Sequence, residues 1–209
     1  MPQAVDPFLK QKWDYMFATF FDLTQDGILE WDDFELLLEK IKETRGENSL
    51  DYKKEYKAMK HIWDELQKVA DENSDSQVTP AEWHQMWLNA FEGSDAKKAD
   101  STWQRLYQDY MFQLIDTSGD GLIDLSEYIE IMAYYRIDRA RAIWAFDKFA
   151  MDPSGQPLNS ITRQQFQDLW KEFFYSSDRN AKGNFLFGDV CNLFDPDEVY
   201  DFLDDELIE

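Results

Sequence analysis

The chain has 209 residues, of which 44 % are hydrophobic and 16 % aromatic, enough to bury a core and to exclude a largely disordered protein. Its 43 acidic and 21 basic residues give a formal net charge of −22, which argues against nucleic acid and anionic membrane as partners. No apolar run reaches the length of a membrane span, and Met1 to Met16 carries Asp6, Lys10, Lys12 and Asp14 where a secretory signal needs an apolar stretch.

In chain order, Trp13, Met16, Phe17, Phe20 and Phe21 recur at helical spacing and predict an amphipathic helix. It leads into Asp22 to Asp33, which reads DLTQDGILEWDD. A hard divalent cation takes six to eight oxygen ligands, and a twelve-residue loop wraps one only by turning sharply at its sixth residue. Gly27 stands at that turn, where the lack of a Cβ leaves positive φ open. Asp22, Thr24 and Asp26 offer side-chain oxygens, Ile28 its carbonyl, Glu30 an oxygen directly or through water, and Asp33 the closing carboxylate. This is the ligand pattern of a calcium loop. Asp33 is one methylene shorter than a glutamate, so it is expected to reach the ion through one oxygen. Magnesium prefers six ligands in a tighter octahedron, which makes this site the most magnesium-tolerant of the set.

Phe34, Leu37, Leu38 and Ile41 predict the exiting helix, and the polar stretch Glu43 to Asp51 reads as a linker. Met59, Ile62, Trp63 and Leu66 then lead into DENSDSQVTPAE, Asp71 to Glu82. This second loop offers Asp71, Asn73, Asp75, the Gln77 carbonyl, Thr79 or its water, and Glu82. Ser76 replaces the glycine, and a non-glycine residue in the left-handed region costs about 1 kcal/mol, which weakens a site without abolishing it. Pro80 falls near the start of the next helix, where a missing N–H matters least.

Trp83, Met86, Trp87 and Phe91 leave the second loop, and Glu92 to Ser101 reads as a linker between two halves. Trp103, Leu106, Tyr107, Tyr110, Met111, Leu114 and Ile115 enter the third loop, DTSGDGLIDLSE, Asp116 to Glu127. Asp116, Ser118 and Asp120 supply side-chain oxygens, Leu122 its carbonyl, Asp124 an oxygen directly or through water, and Glu127 both carboxylate oxygens, with Gly121 at the sixth position. Tyr128, Ile131, Met132 and Tyr135 predict the helix beyond.

A fourth unit keeps the frame and has lost the chemistry. Aligning Ile161 with Ile123 and Phe166 with Tyr128 puts Ser154, Gln156, Leu158 and Gln165 at ligand positions, and this loop is not expected to bind calcium. Its flanks, Phe146, Phe149, Phe166, Leu169 and Trp170, suit a packing partner for the third unit. The eighth positions, Leu29, Val78, Ile123 and Ile161, are apolar and predict short strand pairings between the loops of each half. The expected architecture is all-α: four helix-loop-helix units in two packed pairs, residues 1–92 and 93–188. A tail, residues 189–209, follows. In it Asp195, Pro196 and Glu198 form a helix start, with Val199, Phe202, Leu203 and Leu207 on one face. Cys191 stands alone, so no internal disulfide forms and a reduced cytosolic thiol is the simple reading.

These loops, the inert fourth unit, GILEWDDFE (Gly27 to Glu35), ADENSDSQVT (Ala70 to Thr79), IDTSGDGLID (Ile115 to Asp124) and SDRNAKGNFLFG (Ser177 to Gly188) resemble the calexcitin and sarcoplasmic calcium-binding protein group of EF-hand proteins, the calexcitin branch more closely. The resemblance covers about Trp13 to Gly188. It implies a cytoplasmic, largely neuronal calcium-responsive protein with three working sites, and a protein target such as an ion channel or another membrane-associated protein. Guanine-nucleotide binding is also described in that group, but the chain has no phosphate-cradling GxxxxGK[ST] loop to support it. The expected function is therefore a calcium sensor binding three Ca2+, with a calcium and magnesium buffer as the alternative. A calcium-triggered photoprotein is a weaker rival, since only His61 and His84 are available for its cavity. Catalysis is not expected, because no nucleophile motif is present.

Overall fold

The computed structural model describes residues 5–92, 102–188 and 190. In order, the described elements are α1 (Pro7–Met16) running on into a π-helical turn (Phe17–Phe21), α2 (Trp31–Arg45), α3 (Leu50–Ala70), α4 (Pro80–Glu92) and α5 (Thr102–Ile115). There follow β1 (Leu122–Asp124), α6 (Leu125–Tyr134), α7 (Arg139–Phe149), β2 (Ser160–Thr162), α8 (Arg163–Tyr175) and a 3-10 turn (Lys182–Phe185). The all-helical expectation holds, and each loop read from the sequence lies between two helices. The tail helix and Cys191 lie outside the described residues, as does most of the stretch between α4 and α5.

Packing divides the chain into two compact units, Met1–Gln113 and Leu114–Glu209. In the first unit, Asp6 starts α1 by accepting the Phe8 N–H at 2.8 Å, and Pro7 occupies the first helical position. The π-helical turn at the end of α1 has no signal in the sequence. Its widened backbone carries the Asp22 N–H to the Phe17 carbonyl at 2.8 Å, and Phe17, Phe20 and Phe21 are all buried just ahead of the first loop. The core is aromatic. Trp13 stacks on Trp87 with centroids 5.5 Å apart, the Trp83 indole N–H donates to the Trp13 carbonyl at 3.0 Å, and Phe21 meets Tyr107 at 4.5 Å.

The expected linker Glu43 to Asp51 is shorter than read. Glu43 to Arg45 continue α2, Gly46 ends it at φ 84°, and Ser49 caps α3 by accepting the Tyr52 N–H at 3.0 Å. Good helix formers extend a helix until a left-handed glycine stops it, so polarity alone overestimates a linker.

In the second unit, α6 packs on α7, and the 3-10 turn lies against both α7 and α8. Arg136 at φ 62° and the Asp138 cap on the Arg141 N–H (2.9 Å) turn the chain sharply between α6 and α7. Phe173, Trp170 and Phe174 close around Phe187, with centroids 4.9, 5.4 and 6.2 Å from its ring.

The eighth loop positions pair as expected. Leu29 and Val78 exchange backbone hydrogen bonds of 3.0 and 2.8 Å, and β1 and β2 run antiparallel with Ile123 opposite Ile161. All four side chains are buried, so each loop pair is tied by its backbone and anchored in apolar surroundings.

Candidate metal centres

The three loops are wired alike. The first-position carboxylate accepts N–H groups from the middle of its own loop. Asp22 takes those of Asp26 (3.2 Å) and Gly27 (2.9 Å), Asp71 those of Ser74 (2.7 Å) and Ser76 (3.0 Å), and Asp116 those of Asp120 (3.1 Å) and Gly121 (3.0 Å). The fifth-position carboxylate accepts the seventh-position N–H: Asp26 from Ile28 (2.9 Å), Asp75 from Gln77 (2.9 Å) and Asp120 from Leu122 (2.8 Å). These bonds fold the backbone around the acidic side chains, as a cation-wrapping loop requires.

The last position closes each loop. Asp33 accepts the N–H groups of Glu30 and Thr24, both at 2.9 Å, Glu82 those of Thr79 (2.9 Å) and Glu72 (3.2 Å), and Glu127 those of Asp124 (3.0 Å) and Ser118 (2.9 Å). One carboxylate thus ties the loop's entry to its exit. It also sits three residues into the following helix, so the ninth and twelfth positions double as the start of that helix. In the first loop the Thr24 hydroxyl lies 2.9 Å from Asp33 and 3.4 Å from Asp22, bringing positions one, three and twelve around one point.

Glycine meets the turn where expected, at Gly27 (φ 85°) and Gly121 (φ 84°), and Ser76 takes the same role at φ 68°. A second left-handed residue at the fourth position, Gln25, Ser74 or Gly119, was not legible in the first two loops, because neither glutamine nor serine announces it. Nor was the Gln77 side chain's hydrogen bond to Glu30 at 3.1 Å, which links the first loop to the second. Asn73 donates to Asp75 at 2.9 Å, so it too faces the acidic set.

Among the described residues, no three Asp, Glu, His or Cys side chains converge as a finished chelate; the loop carboxylates are turned onto N–H groups instead. The donor chemistry nevertheless fits a hard cation. Each loop presents three carboxylates at the first, fifth and last positions and a neutral oxygen donor at the third.

The closing carboxylates differ electrostatically. Burial pushes Asp33 above the usual carboxylate range, against hydrogen bonds from Glu30 and Thr24, and the charge of Asp22 adds to the rise. The Thr79 N–H holds Glu82 below that range. Burial pushes Glu127 up, but its hydrogen bonds from Asp124, Ser118 and Thr117 together outweigh this and leave it lowered. The signs give opposite acid responses in metal-free protein. A lowered carboxylate stabilises the fold above its unfolded pKa and loses that contribution as pH falls through its folded value, whereas a raised one costs stability when ionised and regains it on protonation. Carbon-detected NMR titration of metal-stripped protein should therefore show Asp33 titrating above the usual aspartate range and Glu82 and Glu127 below the usual glutamate range. Asp33 at or below its ordinary value, or either glutamate at or above its own, would contradict this.

The fourth loop is held together differently. The Asp152 carboxylate gathers the Ser154 N–H and hydroxyl, both at 2.7 Å, and the Gln156 N–H at 2.9 Å. The Lys182 ammonium rests 3.3 Å from the Asp152 carbonyl. Gln165 keeps the closing role toward the helix, accepting the Thr162 N–H at 2.9 Å, but brings no charge. His61 and His84 are exposed and half-exposed, facing Glu65 and Asp14.

Twelve-residue loops of this wiring, bracketed by helices and tied in pairs at their eighth positions, define an EF-hand calcium-binding protein. The EF hand family model matches residues 108–132, which contain the third loop. The chain is 33 % identical to Calexcitin-1 of Caenorhabditis elegans, over 88 % of each chain. It is 28 % identical to the sarcoplasmic calcium-binding protein alpha-B and -A chains of Penaeus sp., over 84 % of this chain and 95 % of that one. A solved amphioxus sarcoplasmic calcium-binding protein superposes with a TM-score of 0.74 at 24 % identity, covering 88 % of this chain and 98 % of that one. The chain belongs to the calexcitin and sarcoplasmic calcium-binding protein family. As such it is a calcium-binding protein and not an enzyme, and none of its described helices is long and apolar enough to cross a membrane.

Proposed function

We propose that the chain is a cytoplasmic calcium-signalling protein that binds three Ca2+, one in each of the first three loops. The observation that carries this reading is the repeated wiring: in all three loops the first-position carboxylate accepts the sixth N–H, the fifth-position carboxylate the seventh and the twelfth-position carboxylate the ninth, while the fourth loop lacks the acidic set. Asp22, Asp26, Asp33, Asp71, Asp75, Glu82, Asp116, Asp120 and Glu127 would supply charge. Thr24, Asn73 and Ser118 would add neutral side-chain oxygens, and Ile28, Gln77 and Leu122 carbonyls. The aspartate at the end of the first loop makes that site the one most open to Mg2+. In a sensor, carboxylate contacts with the ion reorient the flanking helices and expose an apolar surface to a protein target.

The buffer reading has one specific observation in its favour. Met16, Met59, Met111 and Met132 are fully buried, so these methionines are core residues and not an adaptable target surface. Titrating calcium into metal-stripped protein in constant magnesium, with Trp fluorescence and a hydrophobic dye, separates the roles. A sensor shows a Trp change together with dye binding as calcium rises. Tight calcium binding with a flat dye signal identifies a buffer.

A further inference from the structure

We propose that the face between α7 and α8 is a peptide-binding groove occupied in cis by residues 182–188, a strap that an outside segment of similar chemistry would have to displace. The inference concerns the second unit alone and does not depend on how many ions the loops bind.

The strap is seated like a ligand. Its only helical structure is the 3-10 turn, yet Leu186 and Phe187 are buried and Asn184 is fully enclosed. Phe187 enters a box of Trp170, Phe173 and Phe174, and Phe185 meets the edge of Trp144 at 5.2 Å. Polar contacts fix its register. Lys182 donates to the Asp152 carbonyl, the Gly183 N–H to the Glu172 carboxylate at 2.8 Å, and the Gly188 N–H to the Tyr128 hydroxyl at 3.1 Å, which itself reaches the Leu186 carbonyl at 3.1 Å.

The groove also selects sequence. A Cβ on Gly183 would lie 2.4 Å from the Leu169 carbonyl oxygen and 2.8 Å from the Phe173 nitrogen, so backbone meets backbone there and only glycine fits. The recognised pattern is a glycine, then an aliphatic and an aromatic residue three and four positions on. Ser176 to Ala181, which join the strap to α8, are not helical, so the strap can leave without unravelling a helix. Tyr128 follows Glu127 directly in α6, which places the latch on the strap one residue from the end of the third loop.

The test uses the full chain. Gly183→Ala should keep its helical circular dichroism while raising hydrophobic-dye fluorescence several-fold, and a synthetic peptide spanning residues 177–190 added in trans should return the signal to the wild-type level. An unchanged dye signal in a folded variant, or a raised signal that the peptide leaves untouched, overturns the proposal. Should Gly183→Ala fail to fold, Tyr128→Phe decides, because it removes the hydroxyl that accepts the Gly188 N–H and donates to the Leu186 carbonyl. This leaves the Gly188 N–H only the Phe185 carbonyl at 3.1 Å, so amide exchange at Gly188 should accelerate about tenfold, and unchanged exchange there overturns the proposal.

Discussion

Stripping divalent cations from this protein should lower its melting temperature by about 5–10 °C for each working loop. A ligand that binds only the folded state adds about 2.7 kcal/mol when its free concentration is about 100 times its dissociation constant. In a chain of this size each kcal/mol moves the midpoint by about 2–4 °C. Charge acts in the same direction, since without counter-ions the clustered carboxylates of each loop repel one another in a chain already at −22. Calorimetric scans in excess calcium and in chelator measure the difference. The aromatic cores of the two units do not depend on metal, so the stripped protein should still melt cooperatively; equal midpoints in the two conditions would mean that the loops hold no ion.

Glu127→Gln should remove the third site while sparing the fold around it. The fourth loop already shows what a glutamine does at this position: Gln165 accepts the Thr162 N–H at 2.9 Å and starts α8 normally. In the variant, the amide oxygen would keep the corresponding bond to the Asp124 N–H. The amide nitrogen cannot accept the Ser118 N–H as the second carboxylate oxygen does, a loss worth about 1 kcal/mol. The ion loses more, because a bidentate, charged ligand becomes a neutral oxygen, and the third loop's affinity should fall about 100-fold, within the span that ligand charge gives such loops.

The loops were legible because their chemistry is local. Twelve consecutive residues contain the oxygen donors, the left-handed turn residue and the start of the next helix, so spacing alone placed Asp22, Asp71 and Asp116 at one end and Asp33, Glu82 and Glu127 at the other. The apolar eighth positions predicted their own pairing for the same reason. What spacing could not carry was anything set by the surroundings. The π-helical turn at Phe17–Phe21 and the left-handed Gln25 and Ser74 follow from how the backbone must enter and round the loop, not from the propensity of those residues. The seating of SDRNAKGNFLFG, conspicuous as a segment, depends on α7, α8 and Tyr128, up to sixty positions earlier in the chain. Gly183 carries no mark in the sequence to separate it from a loop glycine; only the packed face of α8 shows why it must be one.

The most direct measurement is the stoichiometry of calcium binding by isothermal titration calorimetry on metal-stripped protein, run on the wild type and on Glu127→Gln. Three ions per wild-type chain and two per variant chain are expected. No heat of binding in the wild type, or the same count in both proteins, would contradict the assignment of one ion to each of the first three loops.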